Sequence, residues 1–202
     1  MTEKPMAPAN GPPKRRARDA LLEAASRRFY ADGLARTGID TITAEAGVAK
    51  KSLYNNFSSK ADLVAAYLDA RHEEWMGLYR ARLAGAASAQ DRVLAVFDAY
   101  ADHADLAYER GFRGCGLLNA AAELPAGDPG RTVVRRHKEE VEALLSQHVA
   151  ELLPRSPERA RSLARHLAFL LEGSMARAGL EGNDSCIHEA RRIAAALIGT
   201  TL

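Results

Sequence analysis

Helical spacing of apolar residues, interrupted at intervals by glycine and proline, is the feature that most limits how this chain can fold. The sequence is rich in alanine, leucine and arginine and poor in runs of β-branched residues, a composition that favours helix over strand. The breaks AGAAS, ERGFRG, LPAGDPG, LPRSP and LEGND each contain the glycine or proline that is typical of helix ends. No stretch predicts a strand convincingly, so we expect an all-α protein.

About nine helices follow from this pattern. The first is predicted at residues 14–32, where Leu21, Ala25 and Phe29 lie on one apolar stripe and Gly33 supplies the stop. The others are predicted at about 40–46, 51–57, 60–84, 89–107, 114–124, 129–152, 157–179 and 185–199. We therefore expect a three-helix domain at residues 14–60, preceded by a flexible basic, proline-rich arm at 1–13 and followed by a larger helical domain at 61–202.

Charge is distributed unevenly, although the net charge of the 202 residues is only +2. Residues 1–60 carry 11 Lys and Arg against 6 Asp and Glu, a net charge of +5, and the remaining residues carry a net charge of −3. A basic front and a mildly acidic body indicate that only the front meets a polyanion. Since no stretch approaches the roughly 18 apolar residues of a membrane span and the N-terminal stretch lacks the apolar core of a secretory signal, a cytoplasmic protein with no membrane partner is expected.

The sequence contains no recognisable catalytic or metal-binding pattern. Cys115 and Cys186 form neither a metal-type pair nor a disulfide framework. The spacing of histidine, aspartate and glutamate does not predict a metal site, and no nucleophile–base pair or phosphate-binding loop is visible. We therefore predict a protein that is not an enzyme and has no cofactor. A helical carrier or enzyme that uses a pocket in the second domain is the competing class.

A short polar helix follows a glycine turn in GVAKKSLYNNFSSK, residues 47–60. Leu53 and Phe57 are four residues apart and share one face of this helix, while Lys51 and Asn55 share another. The glycine lies where a tight turn between two helices requires a left-handed backbone. This is the spacing of a helix-turn-helix, whose polar outer face would bind base edges in a major groove. A solvated surface helix is the alternative interpretation of the segment taken alone.

The stretch RDALLEAASRRFYADGLARTGIDTITAEAGVAKKSLYNNFSSKADLVAAYL resembles the TetR/AcrR family of bacterial transcriptional regulators. The matching features are the helix that ends FYADG, the segment AGVAKKSLYNNF, and SSKADL at the start of the next helix. The resemblance implies a ligand-responsive repressor that binds a pseudo-palindromic operator in double-stranded DNA as a homodimer and is released by a small-molecule effector. It also implies base contacts from Lys50, Lys51, Ser52 and Asn55, and phosphate contacts from Thr41, Thr43, Tyr54, Asn56 and Lys60. Thr43 departs from the alanine usual in the family, so its hydroxyl must find a backbone partner.

The second domain is expected to hold an effector pocket and a dimer interface. Pockets are mostly apolar with a few polar groups, so the effector is expected to be apolar or aromatic. The residues placed where a pocket could form are Trp75, Tyr79, Phe97, Tyr100, Cys115, Asn119, His137 and Phe169. Each of them could instead be an ordinary core or surface residue. The helices at 157–179 and 185–199 have broad apolar faces with alanines that allow close approach, and the resemblance implies that the homodimer forms through them.

The segment RGCGLLNAAAEL, residues 113–124, resembles a sequence found in one branch of the family. Cys115 lies near the N-terminus of a predicted helix, where the helix dipole favours a thiolate. Arg110 and Arg113 are close to it in sequence. A cysteine-based sensor of oxidants or electrophiles is therefore an alternative function. The competing interpretation is that Cys115 is a small buried apolar residue.

Overall fold

The computed structural model describes residues 14–106 and 109–201, and within them every regular element is an α-helix. The helices are α1 (Lys14–Asp32), α2 (Ile39–Glu45), α3 (Lys50–Asn56), α4 (Lys60–Ala84), α5 (Ala89–Ala104), α6 (Gly116–Glu123), α7 (Pro129–Leu152), α8 (Pro157–Glu181) and α9 (Ser185–Thr201). The predicted all-α class is confirmed, and α1, α4 and α7 have the predicted bounds. The predicted basic arm at residues 1–13 lies outside the described residues.

Local capping chemistry explains where several helices begin and end. The Ser59 hydroxyl accepts a hydrogen bond from the Asp62 backbone N–H at the start of α4. At the start of α5, Ser88 and Asp91 form a reciprocal capping box. Helix α8 ends at Gly182, whose φ of 72° is left-handed. These signals are local in sequence, which is why the bounds were predictable.

The first three helices form a small unit, here called the head (α1–α3, Lys14–Asn56). Its core contains Leu21 and Phe29 of α1, Ile42 of α2 and Leu53 of α3, all at most 3% exposed. Gly47 adopts a φ of 65° in the turn between α2 and α3, as predicted for a helix-turn-helix. The apolar faces of three short helices therefore meet, and the opposite faces of α2 and α3 remain in solvent.

The remaining six helices form the body (α4–α9, Lys60–Thr201). Helix α5 lies at its centre, in contact with α4, α7 and α9, and α8 packs on α7 and α9. The outer faces of α8 and α9 leave four large apolar side chains exposed: Phe169, Leu180, Ile193 and Leu197. None of the helices in the described part of the chain is long and apolar enough to cross a bilayer.

Polar contacts tie the head to the body through one stretch of chain, here called the junction segment (residues 110–123). The Arg113 guanidinium donates hydrogen bonds to the carbonyls of Tyr30 at 2.7 Å and Ala31 at 2.8 Å, near the C-terminus of α1. The Tyr30 hydroxyl accepts from the Arg113 backbone N–H at 2.7 Å and donates to the Gly114 carbonyl at 3.1 Å. Burial raises the pKa of Tyr30 to about 12, so the hydroxyl keeps the proton that it donates.

The far end of the junction segment makes a second connection, to the loop between α1 and α2. The Glu123 carboxylate accepts hydrogen bonds from the backbone N–H groups of Leu34 at 2.9 Å and Ala35 at 2.8 Å. Lys60 donates to the Leu34 carbonyl of the same loop at 2.6 Å. Hydrogen bonds therefore connect the head to the junction segment at two points, one before α6 and one at the last residue of α6.

The beginning of the junction segment rests on α8 through a contact between two glycines. A Cβ atom added to Gly179 would lie 2.8 Å from the Cα and N atoms of Gly114, so no side chain fits there. Gly114 also has a φ of 83°, which L-residues with side chains rarely adopt. Because this contact is between backbones, the position of the junction segment follows directly from that of α8.

Candidate nucleic-acid interface and effector cavity

Helix α3 is anchored by one side and presents the other to solvent. Leu53 is fully buried, and Phe57, which follows the helix, is 4% exposed. Lys51 and Asn55 lie exposed on the outer face, and Tyr54 is 51% exposed beside them. The structure brings these three predicted contact residues together on one surface. Among the other predicted contacts, Thr41 and Lys50 are exposed and Ser52 is half-buried.

Asp40, an acidic residue that was not among the predicted contacts, lies at the edge of this surface. The Lys50 ammonium is 2.8 Å from the carboxylate of Asp40 on α2. The hydrogen bond and charge of Asp40 raise the pKa of Lys50 above its ordinary value. Lys50 is therefore already partnered, and a base contact from it would have to replace this ion pair.

Thr43 does not lie on this surface. Its side chain is buried, and its hydroxyl donates to the carbonyls of Ile39 and Asp40, both at 3.1 Å. The backbone partner expected for the hydroxyl is thus present, and we remove Thr43 from the set of phosphate contacts. Asn56 and Lys60 are also engaged within the protein, because the Asn56 amide donates to the Ser52 carbonyl at 2.7 Å and Lys60 donates to Leu34.

Four of the predicted pocket residues line one narrow cavity in the body. It is bounded by Trp75, Tyr100, Cys115 and His137, together with Arg71, His103, Gly116, Leu117 and Met175. Its volume is only ≈10 Å³, about enough for one water molecule. Any larger occupant would therefore require the surrounding side chains to move.

The other four predicted pocket residues have different surroundings. Tyr79 stacks on Trp75, with ring centroids 5.6 Å apart, and its hydroxyl is 2.7 Å from Nε2 of His148. Phe97 is a fully buried core residue, and the Asn119 amide donates to the Arg113 carbonyl at 3.0 Å. Phe169 is 64% exposed on the outer face of α8, so its predicted role in the pocket is wrong. Helical spacing places Phe169 on a face but does not say what covers that face.

Lys138 brings a positive charge to the cavity wall beside Cys115. Its ammonium lies 2.9 Å from the carboxylate of Glu172, 3.2 Å from the Tyr100 hydroxyl and 3.6 Å from the sulfur of Cys115. Burial alone would lower the pKa of Lys138, but the charges of its three partners raise it above the ordinary value. Lys138 therefore remains protonated next to the thiol.

Comparison with known proteins identifies the family. A family model described as bacterial regulatory proteins, tetR family, matches residues 21–67. The structure of a TetR-family transcriptional regulator from Streptomyces coelicolor superposes with a TM-score of 0.80 at 32% sequence identity, over 91% of this chain and 94% of that one. The chain belongs to the TetR family. A TetR transcriptional regulator from Chloroflexus aurantiacus is also similar, with a TM-score of 0.79 and 27% identity over 92% of this chain and 96% of that one.

Similarity to curated members of the TetR family covers about a third of this chain. The HTH-type transcriptional regulator TtgR of Pseudomonas putida is 45% identical over 64 residues, which are 32% of this chain and 30% of TtgR. This match spans less than a third of TtgR's length. These relatives are transcriptional regulators, which is a non-enzymatic role. The predicted family and helix-turn-helix are confirmed.

A pair of histidines, one of which lines the cavity, joins α4 to α7 in this TetR-family protein. The Nδ1 atoms of His72 on α4 and His137 on α7 are 2.9 Å apart, so one ring donates and the other accepts. Burial, together with the charges of Lys138, His72 and His103, lowers the pKa of His137 to about 3. His137 is therefore neutral at physiological pH.

We expect the free energy of unfolding to fall as the pH is lowered from about 6.5 towards 3. In this range the unfolded chain protonates His137, whose ordinary pKa is 6.5, and the folded protein does not. The loss attributable to His137 should be about 2 kcal/mol between pH 7 and pH 5. Urea unfolding of the wild type and His137→Gln at both pH values measures it. Equal pH dependence in the two proteins would contradict the assignment.

Proposed function

We propose that this protein is a ligand-responsive repressor that binds a pseudo-palindromic operator as a homodimer and releases it when a small-molecule effector binds. Helix α3 carries this proposal, because its buried Leu53 fixes a surface on which Lys51, Tyr54 and Asn55 are exposed. Such a helix fits the major groove of duplex DNA. The DNA-binding domain would comprise residues 14–60, the effector and dimerisation domain residues 61–202, and the protein would act in the cytoplasm.

The exposed residues divide into two kinds of DNA contact. Asparagine can bond bidentately to adenine and lysine can donate to guanine, so Lys51 and Asn55 would read bases. The Tyr54 hydroxyl would contact a phosphate, which positions the helix without reading sequence. Ser52 would add a base contact and Thr41 a phosphate contact. Lys50 would reach a base, and Asn56 and Lys60 a phosphate, only by leaving their partners within the protein.

The homodimer would form through the outer faces of α8 and α9. Phe169 and Leu180 of α8 are 64% and 86% exposed, and Ile193 and Leu197 of α9 are 39% and 38% exposed. Gly173, Ala176 and Ala196 are exposed on the same two helices and would let helices of two subunits approach closely. A self-complementary apolar face of this kind suits a twofold interface.

The effector would act by favouring a dimer in which the two heads no longer match the two half-sites. Such control requires only that the effector bind one shape of the dimer better than the other. The junction segment offers a mechanical route, since it contacts α8 through Gly179 and α1 through Tyr30. Both contacts would shift together if α8 moved.

Selection of bound fragments from the source genome, followed by anisotropy titration of the recovered site at two salt concentrations, tests this function. We expect a palindromic sequence that is bound at least about 1,000-fold more tightly than scrambled DNA, the lower end of specificity ratios for such proteins. A steep salt dependence without sequence discrimination would instead indicate a nonspecific DNA-binding protein. Failure of the folded dimer to enrich any site would contradict the proposal.

A second candidate function, sensing of electrophiles or oxidants by Cys115, is favoured by one observation. The Lys138 ammonium lies 3.6 Å from the sulfur, and Cys115 occupies the N-cap position of α6. A cationic neighbour of this kind is typical of reactive cysteines. Cys115 is only 7% exposed, so a reagent would reach it through opening of the cavity.

Alkylation by iodoacetamide tests this second function. In a Cys186→Ser background we expect Cys115 in the native protein to be labelled, and Lys138→Gln to slow the labelling by about tenfold because the sulfur loses its cationic neighbour. Mass spectrometry gives the rate, and anisotropy shows whether labelled protein releases the operator. Labelling that occurs only on global unfolding would make Cys115 a structural core residue.

A further inference from the structure

Two buried N–H donors on α4 have no hydrogen-bond acceptor among the described residues. They are Nε of Arg71 and Nε1 of Trp75. Trp75 is only 2% exposed, and the Arg71 side chain is 16% exposed. Since the two residues are four apart, they lie on the same face of the helix. Native proteins leave few buried donors unpaired, and those that remain often mark a functional site.

One amino group of the Arg71 guanidinium is already paired. Its Nη2 is 2.8 Å from one carboxylate oxygen of Glu74. The other oxygen is 3.4 Å from Nε2 of His103 and is, like the two donors, a buried atom without a hydrogen bond among the described residues. Burial raises the pKa of Glu74, but His103 and Arg71 more than offset it, so the carboxylate stays ionised. The positive charge of Arg71 is thus balanced, while its Nε–H and the Trp75 N–H are both available to an acceptor.

Arg71 lines two spaces. On its inner side is the narrow cavity that Trp75 also lines. On its outer side is a groove of ≈570 Å³ between α1 and α4, a size typical of small-molecule sites. The groove is lined by Glu23, Ser26, Arg27, Tyr30 and Ala31 of α1, by Arg71 and Glu74 of α4, and by Leu106 and Glu109. Among the described residues, Arg71 is the one that lines both spaces.

We propose that the effector binds in this groove and extends past Arg71, and that it is an aromatic molecule carrying a carbonyl or carboxylate oxygen. The oxygen accepts from Nε–H of Arg71 and Nε1–H of Trp75, which gives both donors a partner. The aromatic ring lies against Tyr30, Ala31 and Leu106, the less polar part of the groove. A ligand that offers only donors, such as an amine, leaves both N–H groups unpaired and brings a cation close to Arg71.

This placement differs from a pocket enclosed within the body, because one wall of the groove is the head itself. The lining residues of α1 recur at intervals of three and four, so they form a single face of that helix. A ligand seated between α1 and α4 therefore pushes directly on the helix that carries the head. The control of DNA binding by this ligand rests on the proposed function, whereas its chemical class rests on Arg71 and Trp75.

The single tryptophan of the chain makes the proposal directly measurable, because Trp75 emission reports on its own environment. The probes are 4-tert-butylbenzoate, 4-tert-butylacetophenone and 4-tert-butylbenzylamine, which share a ring and differ in the polar group. We expect calorimetry to show that at least one oxygen probe binds ten times or more tightly than the amine and shifts Trp75 emission. The benzoate and acetophenone arms distinguish a carboxylate from a neutral carbonyl.

Probe affinities of matched variants show whether Arg71 and Trp75 donate the hydrogen bonds to the ligand. Arg71→Met should weaken binding of the oxygen probe at least tenfold, whereas Arg80→Met, at an exposed position on the same helix, should leave it unchanged. Trp75→Phe keeps a ring but removes the N–H, and should weaken binding severalfold by calorimetry even if Arg71→Met does not fold. Tighter binding of the amine, no binding of either oxygen probe, or equal binding by both of the folded Arg71→Met and Arg80→Met variants would overturn the proposal.

Measuring whether a bound probe releases the operator distinguishes failure of the proposed site from failure of the proposed function. If an oxygen probe binds through Arg71 and leaves the selected operator bound, the site stands and the ligand-responsive function is wrong. If the amine alone binds and releases the operator, the regulatory function stands and the ligand class proposed for the site is wrong.

Discussion

Replacing both Phe169 and Leu197 with glutamate is expected to convert the protein to a monomer and to weaken operator binding by about 100-fold or more. Each side chain is apolar and exposed on the outer face of α8 or α9, so in a homodimer the new carboxylates would be buried without partners. A monomer presents one recognition helix at a time and loses the gain from linking two half-site contacts, about 10²–10⁴ in affinity. The loss therefore comes from assembly and leaves the DNA-contacting residues unaltered.

Sedimentation velocity measures the assembly state, and anisotropy with the selected operator measures the affinity. Ala143→Glu serves as the matched control, because it adds a carboxylate at an exposed position on α7, away from the proposed interface. This control should stay dimeric and bind normally. A double variant that remains a dimer would rule out the α8–α9 face, and a monomer with full operator affinity would rule out binding as a dimer.

Asn55→Ala and Tyr54→Phe are expected to weaken operator binding in different ways. A bidentate contact between asparagine and adenine discriminates by about 1–3 kcal/mol, so Asn55→Ala should lose about 10- to 100-fold on the matched operator and little on an operator altered at that base pair. Tyr54→Phe removes a hydroxyl placed for phosphate, so its smaller loss should be similar on every operator. Because the two side chains are adjacent and both exposed, each variant serves as the control for a general disturbance of α3 by the other.

Anisotropy titrations of both variants against the selected operator and a set of single-base-pair substitutions measure these losses. The preference of the wild type identifies the base pair that Asn55 reads. The division of roles is contradicted if both variants lose the same factor on matched and substituted DNA, or if Tyr54→Phe changes base preference.

The helices and the polar face of α3 were predictable because their signals are local. Ser59, Ser88 and Gly182 act on backbone groups within a few residues, so the sequence around each one is sufficient. The spacing of Leu53 and Phe57 likewise decides which side of α3 faces inward. What lies against a face is a tertiary property, which is why Thr43 and Phe169 were misplaced.

The polar connections of the junction segment could not be read from the sequence for the same reason. Glu123 binds the backbone of Leu34 and Ala35, which lie almost ninety residues away, and a backbone N–H carries no residue-specific signal. Arg71 did have a signal, since it interrupts the buried stripe of α4 between Tyr67 and Trp75 at intervals of four. A lone charged residue on an apolar helical face requires either a partner or a function.

The size of the cavity could not be predicted from the sequence either. Trp75, Tyr100, Cys115 and His137 were predicted to lie near a pocket, and they do share one. Whether such residues enclose a ligand-sized space or close to ≈10 Å³ depends on how their side chains pack, which spacing does not specify.

The contacts made by Arg113 and Glu123 restrict how this protein can be recombined with its relatives. A chimaera that exchanges residues 1–60 for another family member's sequence keeps both side chains in the recipient but changes the α1 and α1–α2 loop that they hold. The transplanted residues 1–60 would then lack these hydrogen bonds to the body. DNA binding by the transplanted head would respond poorly to an effector that binds the recipient's body. Exchanging residues 110–123 together with residues 1–60 preserves the fit on that side. The natural unit of modular exchange in this protein is therefore discontinuous in sequence.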